Sequence, residues 1–135
     1  MPSQIFINLP VVDLQKSVSL YVAIGFTINP QFSDDTATCM VWEDSIFVML
    51  LSHSKFLSFI NKPIADTINT QAALYSISVE SLARVNTIVG DAVEAGAVEP
   101  NEMRDYGFMQ QRTIEDFDGH TWEFFYMDLS KLPTE

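Results

Sequence analysis

The feature that most constrains this chain is a plan that occurs twice. An apolar strand ends at a capping residue, an amphipathic helix follows, and a glycine stops it. Asp13 and Gly25 take the two end positions in the first copy, and Ser81 and Gly96 take them in the second. Because the repeat lies in the architecture, with little residue identity, we expect one domain, residues 1–135, built from two similar modules.

Short strands should complete each module after its helix. Turn residues separate apolar runs that have strand character, and a further helical pattern precedes a polar linker over 66–71. We therefore predict an α+β fold of two βαβββ modules, residues 1–70 and 71–135. The predicted elements after the first helix are strands over 26–32, 36–42 and 46–51, a helix over 54–64, strands over 72–79, 103–113 and 120–127, and a tail over 130–135.

The charge and composition exclude several classes of partner. The chain has 18 acidic and seven basic residues, a net charge of −11, which opposes phosphate backbones and anionic membranes. We expect no nucleic acid or membrane partner, and a cytoplasmic location because no signal peptide or spanning segment is present. The single Cys39 is expected to be a small buried hydrophobe. No phosphate-binding loop or serine-hydrolase elbow occurs.

A turn near the C-terminus delivers one carboxylate into an apolar strand. The acidic, glycine-containing segment 115–119 precedes a Thr-Trp-Glu-Phe-Phe run, so Glu123 must find a partner inside a strand. A four-residue loop over 116–119 would place Arg112 opposite Glu123, which predicts an ion pair between them. Glu115 and Asp116 are expected to be solvated turn residues.

Three sequence patterns together resemble the vicinal oxygen chelate superfamily, the group of glyoxalase I, bleomycin-binding proteins and extradiol dioxygenases. They are a Leu-Pro-Val-Val-Asp-Leu opening, a Tyr-x-x-x-Gly-Phe helix end and a closing Asp-x-Asp-Gly-x-x-x-Glu. The resemblance covers nearly the whole chain. It implies two modules whose curved mixed sheets form a cup, completed in a homodimer.

The enzymes of that superfamily hold a divalent metal with four side chains, and only one matching position here carries a suitable ligand. The matching residues are Phe6, Met49, Leu74 and Glu123. A one-residue slip would bring in Asn8, Ser76 or Phe47 instead. Phe and Leu have no lone pair and a thioether is too soft, so we expect no metal and no other cofactor. His53 and His120 are not spaced to join Glu123.

The resemblance and these substitutions lead to an expected function. We expect a metal-independent small-molecule binding protein, with a ligand in the cup and aromatic and polar residues at its rim. The sequence identifies no catalytic residue. The predicted ligand-binding residues are Phe6, Asn8, Met49, Leu74, Ser76, Tyr106, Phe108, Gln110, Arg112 and Glu123.

Two alternatives stay open. The first is a metal-dependent lyase or dioxygenase that has rebuilt its site around Glu123. The second is a protein-interaction module that has kept the fold and lost the pocket, because Phe32 and Trp42 lie on strands that can be exposed.

Overall fold

The structure, a computed structural model, describes residues 2–132 and contains two four-stranded sheets. The first half forms β1 (Ile5–Val11), α1 (Leu14–Ile24), β2 (Thr27–Asn29), β3 (Ala37–Glu43), β4 (Ile46–Ser52) and α2 (His53–Leu57). The second half forms β5 (Tyr75–Ser78), α3 (Leu82–Glu94), β6 (Arg104–Asp105), β7 (Met109–Glu115) and β8 (Thr121–Met127). The predicted α+β class with two modules is confirmed.

Both sheets have the same mixed topology. The strand order is β1-β4-β3-β2 in the first sheet and β5-β8-β7-β6 in the second. The first and last strands of each module run parallel to each other, and the remaining neighbours are antiparallel. The helix that follows the first strand covers one face of its sheet, which leaves the other face for a partner or ligand.

The helix boundaries agree with the capping residues. The Asp13 carboxylate accepts a hydrogen bond from the Lys16 N–H at 3.1 Å, and the Ser81 hydroxyl accepts one from the Arg84 N–H at 3.0 Å. Gly25, with φ of 132°, ends the first helix in a region of φ that favours glycine. In the described part of the chain, no helix combines the length and the apolar character that crossing a bilayer requires.

Four predicted elements differ in extent from the prediction, and the strand predicted over 72–79 spans only Tyr75–Ser78. The strand predicted over 26–32 stops at Asn29, because Pro30 has no N–H for the ladder and begins a 3-10 turn. The helix predicted over 54–64 spans only His53–Leu57. The strand predicted over 103–113 is broken around Gly107, whose φ is +84°. The predicted tail contains part of a 3-10 turn at Leu129–Lys131, and its residues 133–135 lie outside the described residues.

Aromatic rings from both modules form the centre of the core. Trp122 packs edge-on to Tyr21 and to Phe26, with ring centroids 6.1 Å and 5.8 Å apart. Trp42, which supported the interaction-module alternative because its strand can be exposed, packs its ring 5.0 Å from Phe26. Cys39 is buried, as expected. The modules are therefore joined by an apolar core as well as by the chain.

Candidate ligand-binding site

The candidate site is the face of the second sheet that points away from α3, which we call the open face. Strand residues alternate between the two faces, and the core residues Ile114, Trp122 and Phe124 lie on the helix side. The intervening residues must therefore point the other way. The residues of the open face used below are Ser76, Arg104, Gln111, Thr113, Glu123 and Phe125.

Glu123 stands half-buried on this face with one protein partner. Its Oε1 accepts a hydrogen bond from the Ser76 hydroxyl at 2.7 Å, across the parallel pair of β5 and β8. Ser76 itself is exposed. The bond uses one carboxylate oxygen and leaves the other available to a ligand donor.

The predicted pairing of Arg112 with Glu123 is wrong, because the turn between β7 and β8 is one residue longer than assumed. Glu115 pairs with Thr121, so the connection has five residues, 116–120. Thr113 consequently lies opposite Glu123. A shift of one residue moves a side chain to the other face of the sheet, and Arg112 therefore points towards α3.

Arg112 instead forms a bidentate ion pair on the side of the sheet that faces α3. Its Nε and Nη2 donate to the Glu99 carboxylate at 2.8 Å and 2.7 Å, and its Nη1 donates to the Asn86 side chain at 3.0 Å. The hydrogen bond from Arg112 lowers the pKa of Glu99. Each of its three side-chain nitrogens donates to a residue of the second module, so Arg112 is a structural residue in this chain.

Three further predicted residues lie in or beside the turn between β6 and β7, away from the centre of the open face. The Gln110 amide donates to the Asp105 carboxylate at 3.0 Å and to the Gly107 carbonyl at 3.2 Å, which braces this turn. Tyr106 is exposed and Phe108 is half-buried in the same turn. Gln110 shares the helix side with Arg112, because strand residues two apart share a face.

The residues predicted in the first module lie on the corresponding face of the first sheet. Asn8 pairs with Met49 across β1 and β4, and Phe6 pairs with Phe47. The two phenylalanine rings stack with centroids 4.5 Å apart, and Phe6 remains 47% exposed. Leu74 is exposed just before β5.

The donor atoms at these positions include a single charged ligand. Asn8 and Ser76 each precede their helix cap by five residues, so the cross-strand pairs Asn8–Met49 and Ser76–Glu123 correspond in the two modules. Together they offer an amide, a thioether, a hydroxyl and one carboxylate. Within residues 2–132, no three His, Cys, Asp or Glu side chains lie together in a way that could hold an ion.

A buried polar network lies behind the site, at the junction of the modules. The Tyr21 hydroxyl donates to Asp116 Oδ2 at 2.6 Å and accepts a hydrogen bond from Trp122 Nε1 at 2.9 Å. Asp116 Oδ1 also accepts the backbone N–H groups of Asp118 and His120, each at 2.9 Å. The expectation that Asp116 is solvated is wrong. Desolvation raises its pKa, although these donors oppose the rise.

The same turn fastens the second module to the first. The Asp118 carboxylate accepts the Val12 N–H at 2.9 Å, and His120 Nε2 lies 2.8 Å from the Pro10 carbonyl oxygen. The Thr67 hydroxyl of the linker donates to the Asp118 carbonyl. Since these bonds cross between the modules, the turn sets how the second sheet is held against the first.

Two cavities lie beside this junction rather than on the open face. The larger, about 620 Å³, is a groove between the start of α1, the linker and the turn, with Lys16 and Phe117 among its walls. The Lys16 ammonium lies 4.2 Å from the Phe117 ring centroid, in cation–π contact. The smaller, about 210 Å³, is lined in part by Asn8, Tyr75 and His120.

Two features of the site were not predicted from the sequence. Arg104 pairs with Gln111, which pairs with Phe125, so it shares the open face with Glu123. The only sequence signal for Arg104 was its place near the start of a predicted strand, which does not indicate a face. The Asp116 network required contact between Tyr21 and Trp122, which are distant in sequence.

The sequence matches no protein-family model, and it matches no curated protein. Several solved structures nevertheless share its fold. A hypothetical protein from S. aureus is 24% identical with a TM-score of 0.78, over 93% of this chain and 94% of that one. A glyoxalase-related enzyme from Fulvimarina pelagi is 16% identical with a TM-score of 0.74, over 93% and 88%.

A third structure bears all three names of the group that the sequence resembled. It is a glyoxalase/bleomycin resistance protein/dioxygenase from Nocardioides, 16% identical with a TM-score of 0.73, over 100% of this chain and 89% of that one. At these identities the likeness concerns the fold and not the chemistry. The chain therefore has the glyoxalase/bleomycin resistance/dioxygenase fold, which confirms the resemblance at the level of the fold.

Proposed function

We propose that this chain is a metal-independent binding protein for a small molecule, which it holds against the open face with Glu123 as the polar anchor. The supporting observation is the Glu123 carboxylate, whose one partner among the described residues is the exposed Ser76 hydroxyl. Its other oxygen is open to a hydrogen-bond donor from a ligand. Phe125, two residues along the same strand, provides apolar area beside it.

The chemistry of the open face determines which ligand group can bind at Glu123. Arg112, which was predicted to pair with Glu123, is bound to Glu99 on the other side of the sheet. A ligand at Glu123 must therefore bring a hydrogen-bond donor, such as an ammonium, amidinium or hydroxyl group. The net charge of −11 also favours a cationic group.

A second copy of the chain would supply the opposite wall of the site. The stacked Phe6 and Phe47 rings leave apolar area exposed on the first sheet, where a partner sheet could cover them. We therefore propose a homodimer in which the corresponding faces of two chains enclose the ligand.

Replacing Phe6 with Asp tests this dimer. We expect sedimentation velocity to show the wild type as a dimer and Phe6→Asp mainly as a monomer, because a charge in an apolar interface is costly to bury. Phe32→Asp is the matched control, since Phe32 is 62% exposed on a 3-10 turn away from the Phe6–Phe47 stack. A monomeric wild type, or equal effects of both substitutions, would contradict the proposed dimer.

Replacing Glu123 with Gln tests the binding function itself. A thermal-shift screen of small amines, amidines and polyols should find compounds that stabilise the wild type, by about 2.7 kcal/mol at a hundred times Kd. The same compounds should also stabilise Glu94→Gln, which changes an exposed side chain at the end of α3. They should not stabilise Glu123→Gln. Gln keeps the size of the side chain and loses the charge.

The alternative that the chain is a metal-dependent enzyme can be tested directly with the same variants. Metal content should be measured by mass spectrometry on untagged protein, before and after incubation with iron(II), manganese, nickel and zinc. Binding of a stoichiometric metal that is lost in Glu123→Gln would overturn the proposal and favour an enzyme. A screen that finds no stabilising compound would also count against it.

A further inference from the structure

The open face carries a positive as well as a negative group, and this concerns the ligand of the function proposed above. Across the sheet, Phe125 pairs with Gln111, and Gln111 pairs with Arg104 at the edge strand. In the neighbouring row, Ser76 pairs with Glu123. Paired residues share a face, so Arg104 and Glu123 lie on the same side of the sheet.

The register fixes the spacing between these two charges. Arg104 lies two strands away from Glu123. Along the strand direction it is level with Phe125, which is two residues from Glu123 on β8. With strands about 4.8 Å apart and about 3.4 Å per residue, their Cα atoms are about 12 Å apart. Both side chains are long enough to lean towards each other over Gln111 and Thr113, and Phe125 lies at the end of the Arg104 row, next to Glu123 along β8.

Arg104 is held in this position by the turn that follows it. The Tyr106 N–H donates to the Met109 carbonyl at 2.8 Å, and the Gly107 N–H donates to the Asp105 carboxylate at 2.8 Å. Asp105 points to the helix side, where it receives Gln110. Within residues 2–132 the one ion pair is Arg112 with Glu99, so no carboxylate among these residues engages the Arg104 guanidinium.

We infer that the open face recognises an elongated zwitterion, a peptide-like molecule with an ammonium group at one end and a carboxylate at the other. Glu123 binds the ammonium, Arg104 binds the carboxylate as a planar fork, and Phe125 packs against the apolar part of the ligand next to Glu123. An extended dipeptide spans about 7 Å, which fits between two converging side chains whose Cα atoms are about 12 Å apart.

The inference rests on the proposed function, and end-blocked dipeptides test it separately. The probes are Ala-Phe, its N-acetyl form, which lacks the ammonium, and its C-terminal amide, which lacks the carboxylate. Isothermal titration calorimetry on the wild type should show binding of Ala-Phe, weakened about tenfold by either block, since a charge-assisted hydrogen bond is lost each time.

Two variants assign each end of the probe to a residue. Arg104→Gln should bind Ala-Phe and its amide equally, because the partner of the carboxylate is gone. Glu123→Gln should likewise bind Ala-Phe and its N-acetyl form equally. Arg112→Gln is the matched control, since it removes a guanidinium from the helix side of the same sheet and should keep both preferences.

The possible outcomes separate this inference from the proposed function. If the blocked forms bind as tightly as free Ala-Phe while Glu123→Gln abolishes binding, the binding function stands and the zwitterion inference is wrong. The inference is also wrong if Ala-Phe does not bind, or if Arg104→Gln keeps the preference for the free carboxylate. Sedimentation velocity at the same concentrations tests a second copy as the occupant of this face. A dimer that Ala-Phe does not disturb and that Arg104→Glu abolishes would assign the face to that copy and overturn the inference.

Discussion

Asp116→Ala should lower the free energy of unfolding by about 3 to 5 kcal/mol, because it leaves the Tyr21 hydroxyl and two backbone N–H groups buried without their acceptor. That is a large share of the stability of a typical domain. Urea denaturation followed by tryptophan fluorescence measures the loss. Asp35→Ala, an exposed turn residue, is the control and should change stability by less than about 0.5 kcal/mol.

Tyr21→Phe provides a milder test of the same network if Asp116→Ala does not fold. It removes the hydroxyl that joins Asp116 to Trp122 and keeps the buried ring. We expect a loss of about 1 to 2 kcal/mol. If neither Tyr21→Phe nor Asp116→Ala changes the free energy of unfolding, the network does not hold the modules together.

The pH dependence of Asp116 has a definite sign. Desolvation raises its pKa above the ordinary 3.8 in the folded chain, so the folded protein binds the proton more tightly than the unfolded chain does. This contribution to stability is fully present below pH 3.8 and is lost as the pH rises through the folded pKa. The deficit of Asp116→Asn relative to wild type should therefore be larger at about pH 3.5 than at about pH 7.

Gly119→Ala should be destabilising by about 2 to 4 kcal/mol, the second largest effect that we expect. Gly119 has φ of +84°, and a Cβ there would lie 2.1 Å from the Thr67 carbonyl oxygen. The linker and the turn would both have to move, and the hydrogen bond from Thr67 to Asp118 would be disturbed. Chemical denaturation of the variant measures the effect.

Gly90→Ala is the matched control for Gly119→Ala. Gly90 lies inside α3, and a Cβ there meets nothing within 4 Å. Alanine is the better helix former, so this variant should be more stable by about 0.5 to 1 kcal/mol. Equal effects of the two substitutions would show that the contact between the turn and the linker is not tight.

The sequence predicted the local elements well because their signals are local. Asp13 and Ser81 cap helices that begin where expected, since a cap needs only the N–H groups of the next turn. The two-module plan followed from the repetition of these signals. Predictions were wrong where a single residue breaks a strand, as at Pro30 and Gly107.

The candidate site was predicted only in part, and the last hairpin shows why. Glu123 was identified because a carboxylate in an apolar strand stands out in any sequence. Its partner was wrong because a five-residue turn replaces the assumed four, which brings Thr113 opposite it and turns Arg112 away. Composition at the turn does not determine this count, since the turn is shaped by its bonds to Val12, Pro10 and Thr67.

The sequence by itself determined the two modules, the starts of α1 and α3, the acidic character of the chain and the prominence of Glu123. Only the tertiary structure decided that Arg112 serves Glu99, that Asp116 is buried, and that Arg104 shares a face with Glu123. The reason is physical. Capping and periodicity act within one turn of the chain, whereas strand register and burial depend on contacts between residues that are far apart in sequence.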